Sequence, residues 1–285
     1  MPKGVTFFRG LTMKIRYLPL CFAILAFSTT AQAGDTLERV LRKQLLVQVT
    51  DQAYPPFSSI NDKGEVVGFD VDVAREISKR LGVDMKVETP SFEILAAGHW
   101  KSRYDICVCS MTPTDERATV LDFVAKYYDS PAVILVHAEN VSIKSPADLN
   151  GKMVGVQAST TYEKYLQKTL SIPGATPVTY AFDSVKIKPY ESEITAYQDL
   201  GLGDGKRLDA IVANYITAKE QVEKSDGKFK IVGDQLFKEP IWISVDKGDP
   251  EWNEKIKSIV KSMIDDGTLA KISEKWVGID ISAKS

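Results

Sequence analysis

The sequence is short of cysteine, and after residue 33 it has no long apolar run. Of its three cysteines in 285 residues, Cys21 lies inside an N-terminal apolar stretch, while Cys107 and Cys109 stand two apart. That leaves no disulfide framework, no metal-site spacing and no implied cofactor. Past residue 33 nothing approaches the roughly 20 consecutive apolar residues needed to cross a bilayer. An excess of positive charge is missing as well. The formal net charge is −2, and removing residues 1–33 takes away Lys3, Arg9, Lys14 and Arg16 and no acid, which leaves −6. Such a balance excludes nucleic acid and anionic lipid as partners. What is there is globular: 44% hydrophobic and 26% charged residues, enough chain for one large domain or two small ones.

The first residues read as a leader. Lys14 and Arg16 precede LPLCFAILAF (18–27), and Ala31-Gln32-Ala33 supplies a small-x-small cleavage pattern. Residues 1–33 are therefore expected to be a cleaved signal peptide, started at Met1 or at Met13, and the mature chain to be exported and soluble. Cys21 sits within the apolar run, away from the cleavage point, which argues against a lipid-modified cysteine terminus. Cys107 and Cys109 share one face of a predicted strand with Cα atoms near the upper limit of bridging distance, so free thiols are expected.

Along the mature chain strands and helices alternate. LLVQVT (45–50) and DMKVE (84–88) are strands around a helix at 69–82, whose Val73, Ile77 and Leu81 share a face before Gly82. YDICVCS and AVILV (132–136) follow as strands. After a break the alternation restarts: a strand at 152–157, helices at 161–170 and 192–201, a strand at 208–213, a helix at 215–224 and a strand at 228–232. This β-α-β order predicts parallel sheets in two α/β units. The strand at 241–246 and two amphipathic helices then need a surface to cover, and the first unit offers one if the chain crosses back. Two crossings, near 128–133 and 234–239, make a two-segment hinge with a cleft between lobes, where folds of this class bind ligands. The expected lobes are 34–130 with 236–285, and 131–235. GLGDG (201–205) follows a helix, where a phosphate loop would follow a strand, and is read as a turn.

Within SMTPTDER (110–117), Ser110, Thr112 and Arg117 place hydroxyls beside one planar cation, which suits a small carboxylate. With DQAYPPFSSINDKGEVVGFDVDVAREISKRLG before it and LNGKMVGVQASTTYEKYL after it, the chain resembles the polar amino-acid family of solute-binding proteins of ABC importers over most of residues 44–280. The resemblance implies a periplasmic-binding-protein type II fold, a periplasmic monomer, a small carboxylate-bearing ligand and a membrane permease as partner. It implies no enzyme activity.

The same resemblance assigns roles. Arg117 grips the ligand's α-carboxylate with Ser110 and Thr112, and in an empty cleft its guanidinium is expected to stand in water. Ser159, Thr160 and Thr161 face it from the start of the helix that Thr160 and Glu163 cap. Tyr54 and Phe92 sandwich the ligand's side chain, Asp51 meets a basic or amide group at its far end, and Gln157 and Cys109 complete the wall. A competing class on this scaffold, cyclohexadienyl dehydratases, keeps the carboxylate grip and uses a Glu matched by Glu163. One departure stands out. Where the family places an Asp for the ligand's α-ammonium, this chain has Asn214, so either the ligand's α-nitrogen is substituted or absent, or an acid such as Asp183, Glu191 or Glu193 takes over.

Overall fold

The computed structural model describes residues 1–4 and 35–284; the apolar leader and its cleavage point fall outside that set. Helix α1 (Thr36–Lys43) leads into strand β1 (Leu45–Val49) and then a small antiparallel sheet of β2 (Ala53–Tyr54), β3 (Ser58–Ile60) and β4 (Val66–Val67). Gly68 turns the chain into α2 (Phe69–Leu81). Its φ is +143°, and a Cβ there would lie 2.1 Å from the carbonyl oxygen of Phe57, so only glycine lets the small sheet and the helix approach this closely. Helix α2 buries Phe69, Val73, Ile77 and Leu81, a four-residue stripe on one face, and stops at Gly82 in the left-handed conformation. Strand β5 (Asp84–Glu88), helix α3 (Phe92–Ala97) and strand β6 (Ile106–Met111) complete this part, with β1 parallel to both β5 and β6.

Strand β7 (Leu121–His137) is one 17-residue strand, longer than the 132–136 segment its apolar run announces. The second unit then follows as β8 (Met153–Gln157), α4 (Thr161–Leu166), β9 (Lys186–Tyr190), α5 (Glu193–Leu200), β10 (Ala210–Asn214) and α6 (Tyr215–Lys224). Strand β8 lies parallel to β9 and β10. Helix α4 ends well short of residue 170 because Lys168 takes a positive φ and Thr169 N–H closes onto the Lys164 carbonyl at 2.9 Å. GLGDG is a turn after α5.

Strand β11 (Phe229–Asp246) fuses the two expected strands at 228–232 and 241–246 into one of 18 residues. It pairs antiparallel with β7 from Phe229 opposite His137 to Asp246 opposite Leu121. The sheet order is β5-β1-β6-β11-β7-β10-β8-β9, a mixed sheet and not the parallel pair the alternation predicts, because both crossings are themselves paired strands. Helices α7 (Pro250–Asp265) and α8 (Thr268–Val277) return to the first lobe, where Trp252, Ile256 and Met263 share a core with Leu46 and Ile77. A separate core under β8 and β10 holds Val154, Val156, Tyr165 and Val212. Among the described residues no helix is long and apolar enough to cross a membrane.

One expectation is corrected here. Cys107 and Cys109 form a disulfide, with Cα atoms 5.3 Å apart. A regular strand advances about 6.6 Å over two residues, but β6 is bulged. Met111 faces Trp242 while Cys107 faces Ser244, so residues 108–110 oppose one residue of β11. Ser110 carries the strained turn at φ +54°. The buried side chain of Gln48 answers the Val108 backbone at the bulge, accepting from its N–H at 3.1 Å and donating to its carbonyl at 2.8 Å.

Candidate functional site: a cleft between the lobes

Arg117 sits on a single 3-10 turn, Arg117–Thr119, reached directly after β6. The Thr114 hydroxyl accepts the Arg117 N–H at 3.2 Å and starts that turn. Arg117 is only 3% exposed, contrary to the expectation of a solvated cation. Its Nη1 donates to the Thr112 carbonyl at 2.7 Å and its Nη2 to the Ser159 carbonyl at 2.8 Å. Its Cζ lies 5.3 Å from the centre of the Phe92 ring. Burial lowers its pKa to about 10, with Glu239 and Glu116 opposing, so it remains a cation at neutral pH. Its Nε has no hydrogen-bond partner among the described residues.

Ser110 is fixed from behind. Its hydroxyl donates to Asp70 at 2.7 Å and accepts from Tyr128 at 2.7 Å, while its N–H reaches the Tyr127 hydroxyl at 2.8 Å. Tyr127 also donates to Asp70, at 2.8 Å. Burial pushes the Asp70 carboxyl up to about 7, although these hydrogen bonds pull it back.

The opposite wall comes from the β8–α4 turn. Gln157 Nε2 donates across the cleft to Asp51 at 2.6 Å and to the Glu191 carbonyl at 3.1 Å. Thr160 caps α4, accepting from Glu163 N–H at 3.4 Å, and Glu163 returns a carboxylate oxygen to Ser159 N–H at 2.7 Å. Glu163 is thus occupied as a cap and does not line the cleft.

Of the residues expected at the site, Asp51, Tyr54, Phe92, Cys109, Ser110, Thr112, Arg117, Gln157, Thr160 and Thr161 line this one cleft. The walls nearly touch, leaving about 20 Å³ for the centre of a water molecule. Ser159 contributes its carbonyl and not a lining side chain. Asn214 lies elsewhere: it is buried at the start of α6, its Oδ1 accepting from Ser130 at 2.8 Å and from Ile216 N–H at 2.8 Å. Asp183 and Glu191 are exposed. Glu193 is buried beside the site, and burial pushes its carboxyl up to about 8, with Asp51 and Glu239 adding to the effect.

Two cleft residues escape the sequence reading, Tyr162 and Glu239. Glu239 is 1% exposed on β11 and accepts from Thr112 at 2.8 Å, from Tyr162 at 2.7 Å and from Thr161. Burial raises its pKa, against the hydrogen bonds from Thr161, Tyr162 and Thr112. A signal for it existed: Glu239, Ile241, Ile243 and Val245 alternate on the buried face of β11. An acid in phase with three core aliphatics marks an inward carboxylate. Among the described residues no cluster of His, Cys, Asp or Glu could hold a metal ion.

The model of the bacterial extracellular solute-binding proteins, family 3, matches residues 46–279, and the chain belongs to that family. Its two lobes and paired crossings are the type II periplasmic-binding-protein fold. The L-cystine-binding protein TcyJ of Escherichia coli is 30% identical over 247 residues, 86% of this chain and 87% of that protein. The L-arginine-binding protein of Pseudomonas aeruginosa is 33% identical over 239 residues, 81% and 87% of the two chains. Among solved structures, the ancestral amino acid-binding protein AncCDT-1, a precursor of cyclohexadienyl dehydratase, superposes with a TM-score of 0.74 at 30% identity, over 85% of this chain and 99% of that one.

Proposed function

We propose that the protein is the substrate-binding component of an ABC importer, capturing a small polar amino acid or amino-acid derivative in the periplasm and delivering it to a membrane permease. The observation that carries this reading is Arg117. An arginine 3% exposed in an interlobe cleft, with Nε left unpartnered among the described residues, is a donor held ready for a carboxylate that enters when the lobes part. Thr112 and the Ser159–Thr161 turn meet the same space from the two lobes, and Tyr54 and Phe92 supply apolar and aromatic surface for the rest of the ligand. The cystine- and arginine-binding relatives fit a ligand of this size and chemistry. The capping of α4 by Glu163 removes the residue on which a dehydratase-like reading rests, so the geometry favours capture over turnover.

The test is calorimetric titration of the purified protein with the twenty amino acids, preceded by native mass spectrometry of whatever co-purifies. Submicromolar binding of one amino acid, returned unchanged, supports the reading. Binding of none together with no amino-acid derivative among the co-purified molecules, or turnover of the added ligand to a product of altered mass, overturns it.

A further inference from the structure

Glu239 is a buried acid that the cleft surrounds from both lobes, and Asn214 lies outside the cleft lining. We propose that Glu239 receives the ligand's α-ammonium and that the cleft thereby selects amino acids with a second cationic group on the side chain. This rests on the amino-acid-binding reading above.

The case begins with position. Glu239 leaves the crossing strand β11 and meets hydroxyls of Thr112 from the first lobe and of Thr161 and Tyr162 from the second. It therefore lies where the two walls converge, next to the carboxylate grip. Thr112 ties the two together, its carbonyl held by Arg117 and its hydroxyl by Glu239. Asn214 cannot do this work. Its Oδ1 is spent on Ser130 and Ile216, and its remaining atom, Nδ2, is a buried donor without a partner. A donor cannot receive an ammonium.

Charge selects the ligand class. The groups lining the cleft with formal charge are Arg117 on one side of the balance and Asp51 and Glu239 on the other. One carboxylate and two cationic groups on the ligand match all three. A neutral amino acid leaves one cleft carboxylate unmatched in a site from which water is nearly excluded, and a ligand with two carboxylates brings one of them against an acid. Glu193, buried near Asp51 with its carboxyl pushed up to about 8, is neutral below that pH and leaves this balance unchanged.

Protons follow the cation. Glu239 faces Arg117, Tyr162, Tyr54, Tyr128 and Glu193, and of these only Arg117 favours its ionised form by charge. Burial raises its pKa in the empty site, and the three hydroxyls that donate to it pull it back. An arriving ammonium lowers it further, so binding releases protons wherever the empty site holds one and ceases to do so at high pH.

The experiment is calorimetry of wild type and Glu239→Gln with L-arginine, L-glutamine and 5-guanidinopentanoate, which is arginine without its α-amine. Wild type is expected to bind arginine at least tenfold more tightly than either comparator. Glu239→Gln keeps the shape and an acceptor for the hydroxyls, and should lose at least tenfold for arginine but less than threefold for 5-guanidinopentanoate. Wild-type titrations at pH 6.5, where the analogue's own carboxyl, titrating at about 4.3 like a Glu side chain, is ionised, in two buffers of different ionisation enthalpy should show more proton release with arginine than with the deaminated analogue; that comparison, with the tenfold preference of the wild type for arginine over the analogue, decides the matter even if the variant does not fold. Equal losses for arginine and the analogue, unchanged arginine binding, proton release no greater with arginine than with the analogue, or tightest binding of glutamine would each overturn the inference while leaving amino-acid capture standing. Failure of the wild type to bind any α-amino acid would overturn both.

Discussion

Arg117 and Ser159 meet across the cleft, with Nη2 donating to the Ser159 carbonyl at 2.8 Å while Nη1 holds the Thr112 carbonyl of its own lobe at 2.7 Å. The guanidinium is therefore a brace between lobes as well as the proposed anion grip. Two of its nitrogens are engaged with backbone, and the third, Nε, has no partner among the described residues. That division fixes the height of the cation in the cleft before any ligand arrives, which is how a flexible side chain is made into a positioned donor.

Replacing Arg117 by Lys keeps the charge but loses the planar fork. Ligand affinity should fall by at least tenfold, about 1.4 kcal/mol. The brace adds a second effect: Arg117→Ala leaves the two carbonyls unanswered, at about 1–3 kcal/mol in the closed form, so the unliganded protein should melt lower as well. Calorimetry and thermal melting read these separately. Intact affinity in Arg117→Ala would place the carboxylate site elsewhere.

At the rim, Lys164 of α4 pairs with Glu116 of the other lobe, and Ser171 donates to Asp115. The Glu116 side chain is 74% exposed, so the pair is screened and worth about 0–1 kcal/mol. Lys164→Ala should change affinity by less than threefold, and even that difference should vanish in molar salt. A tenfold loss that survives salt would mean the rim latch controls closure.

The parts of this molecule legible in the sequence are those where local pattern and tertiary role agree. Helix α2 carries its stripe and its Gly82 stop in one fourteen-residue stretch, and SMTPTDER carries the grip in eight. Strand β7 was half legible, because only 132–136 is uniformly apolar; 121–131 buries Leu121, Val124, Ala125, Tyr127 and Tyr128 at uneven spacing among polar residues and reads as irregular until β11 is laid against it. Glu239 was missed for the same reason. Its alternation with Ile241 and Ile243 shows only if the strand is extended past Pro240, and a proline there argues locally for a break. The disulfide was misjudged because a bulge is defined by the partner strand's count, which no single segment contains. Asn214 illustrates the opposite limit: its place at the end of a strand is readable, but that its side chain caps α6 and turns to Ser130 depends on a residue 84 positions away.

The Cys107–Cys109 bridge predicts that thiol titration of the exported protein, unfolded without reductant, finds no free thiol. Closing so short a loop contributes on the order of 1–2 kcal/mol, which corresponds to a melting loss of roughly 2–8 °C on reduction or in Cys107→Ser. Because residues 108–110 of the bulge present Ser110 to the cleft, the same variant should weaken ligand binding. Two titratable thiols in freshly prepared protein would return the pair to the free state.

Asp70 and Glu193 predict how stability responds to pH. Burial raises both carboxyls, Asp70 to about 7 and Glu193 to about 8, above the roughly 4 of an unfolded chain. Below pH 4 both are protonated in either state and contribute no slope. Between pH 4 and their folded values the unfolded chain has released two protons that the folded one still holds, so the stability these groups supply is lost as pH rises, each by up to about 1.4 kcal/mol per pH unit. Above about pH 8 the loss is complete. The ligand-free protein should therefore melt at a falling temperature from pH 5 to pH 8. Asp70→Asn should reduce that slope up to about pH 7, and Glu193→Gln should reduce it over the same range and remove what remains between about pH 7 and 8. Asp70→Asn also disturbs Ser110, which loses its acceptor at 2.7 Å, whereas Glu193 is bonded by Thr217 at 3.3 Å and by Tyr197, neither of them in the cleft lining, so Glu193→Gln isolates the titration with less change in the cleft. Melting curves of the three proteins across this range decide it: a wild-type melting temperature that rises from pH 5 to 8, or a slope unchanged in Glu193→Gln, would show that these carboxyls are ionised in the fold.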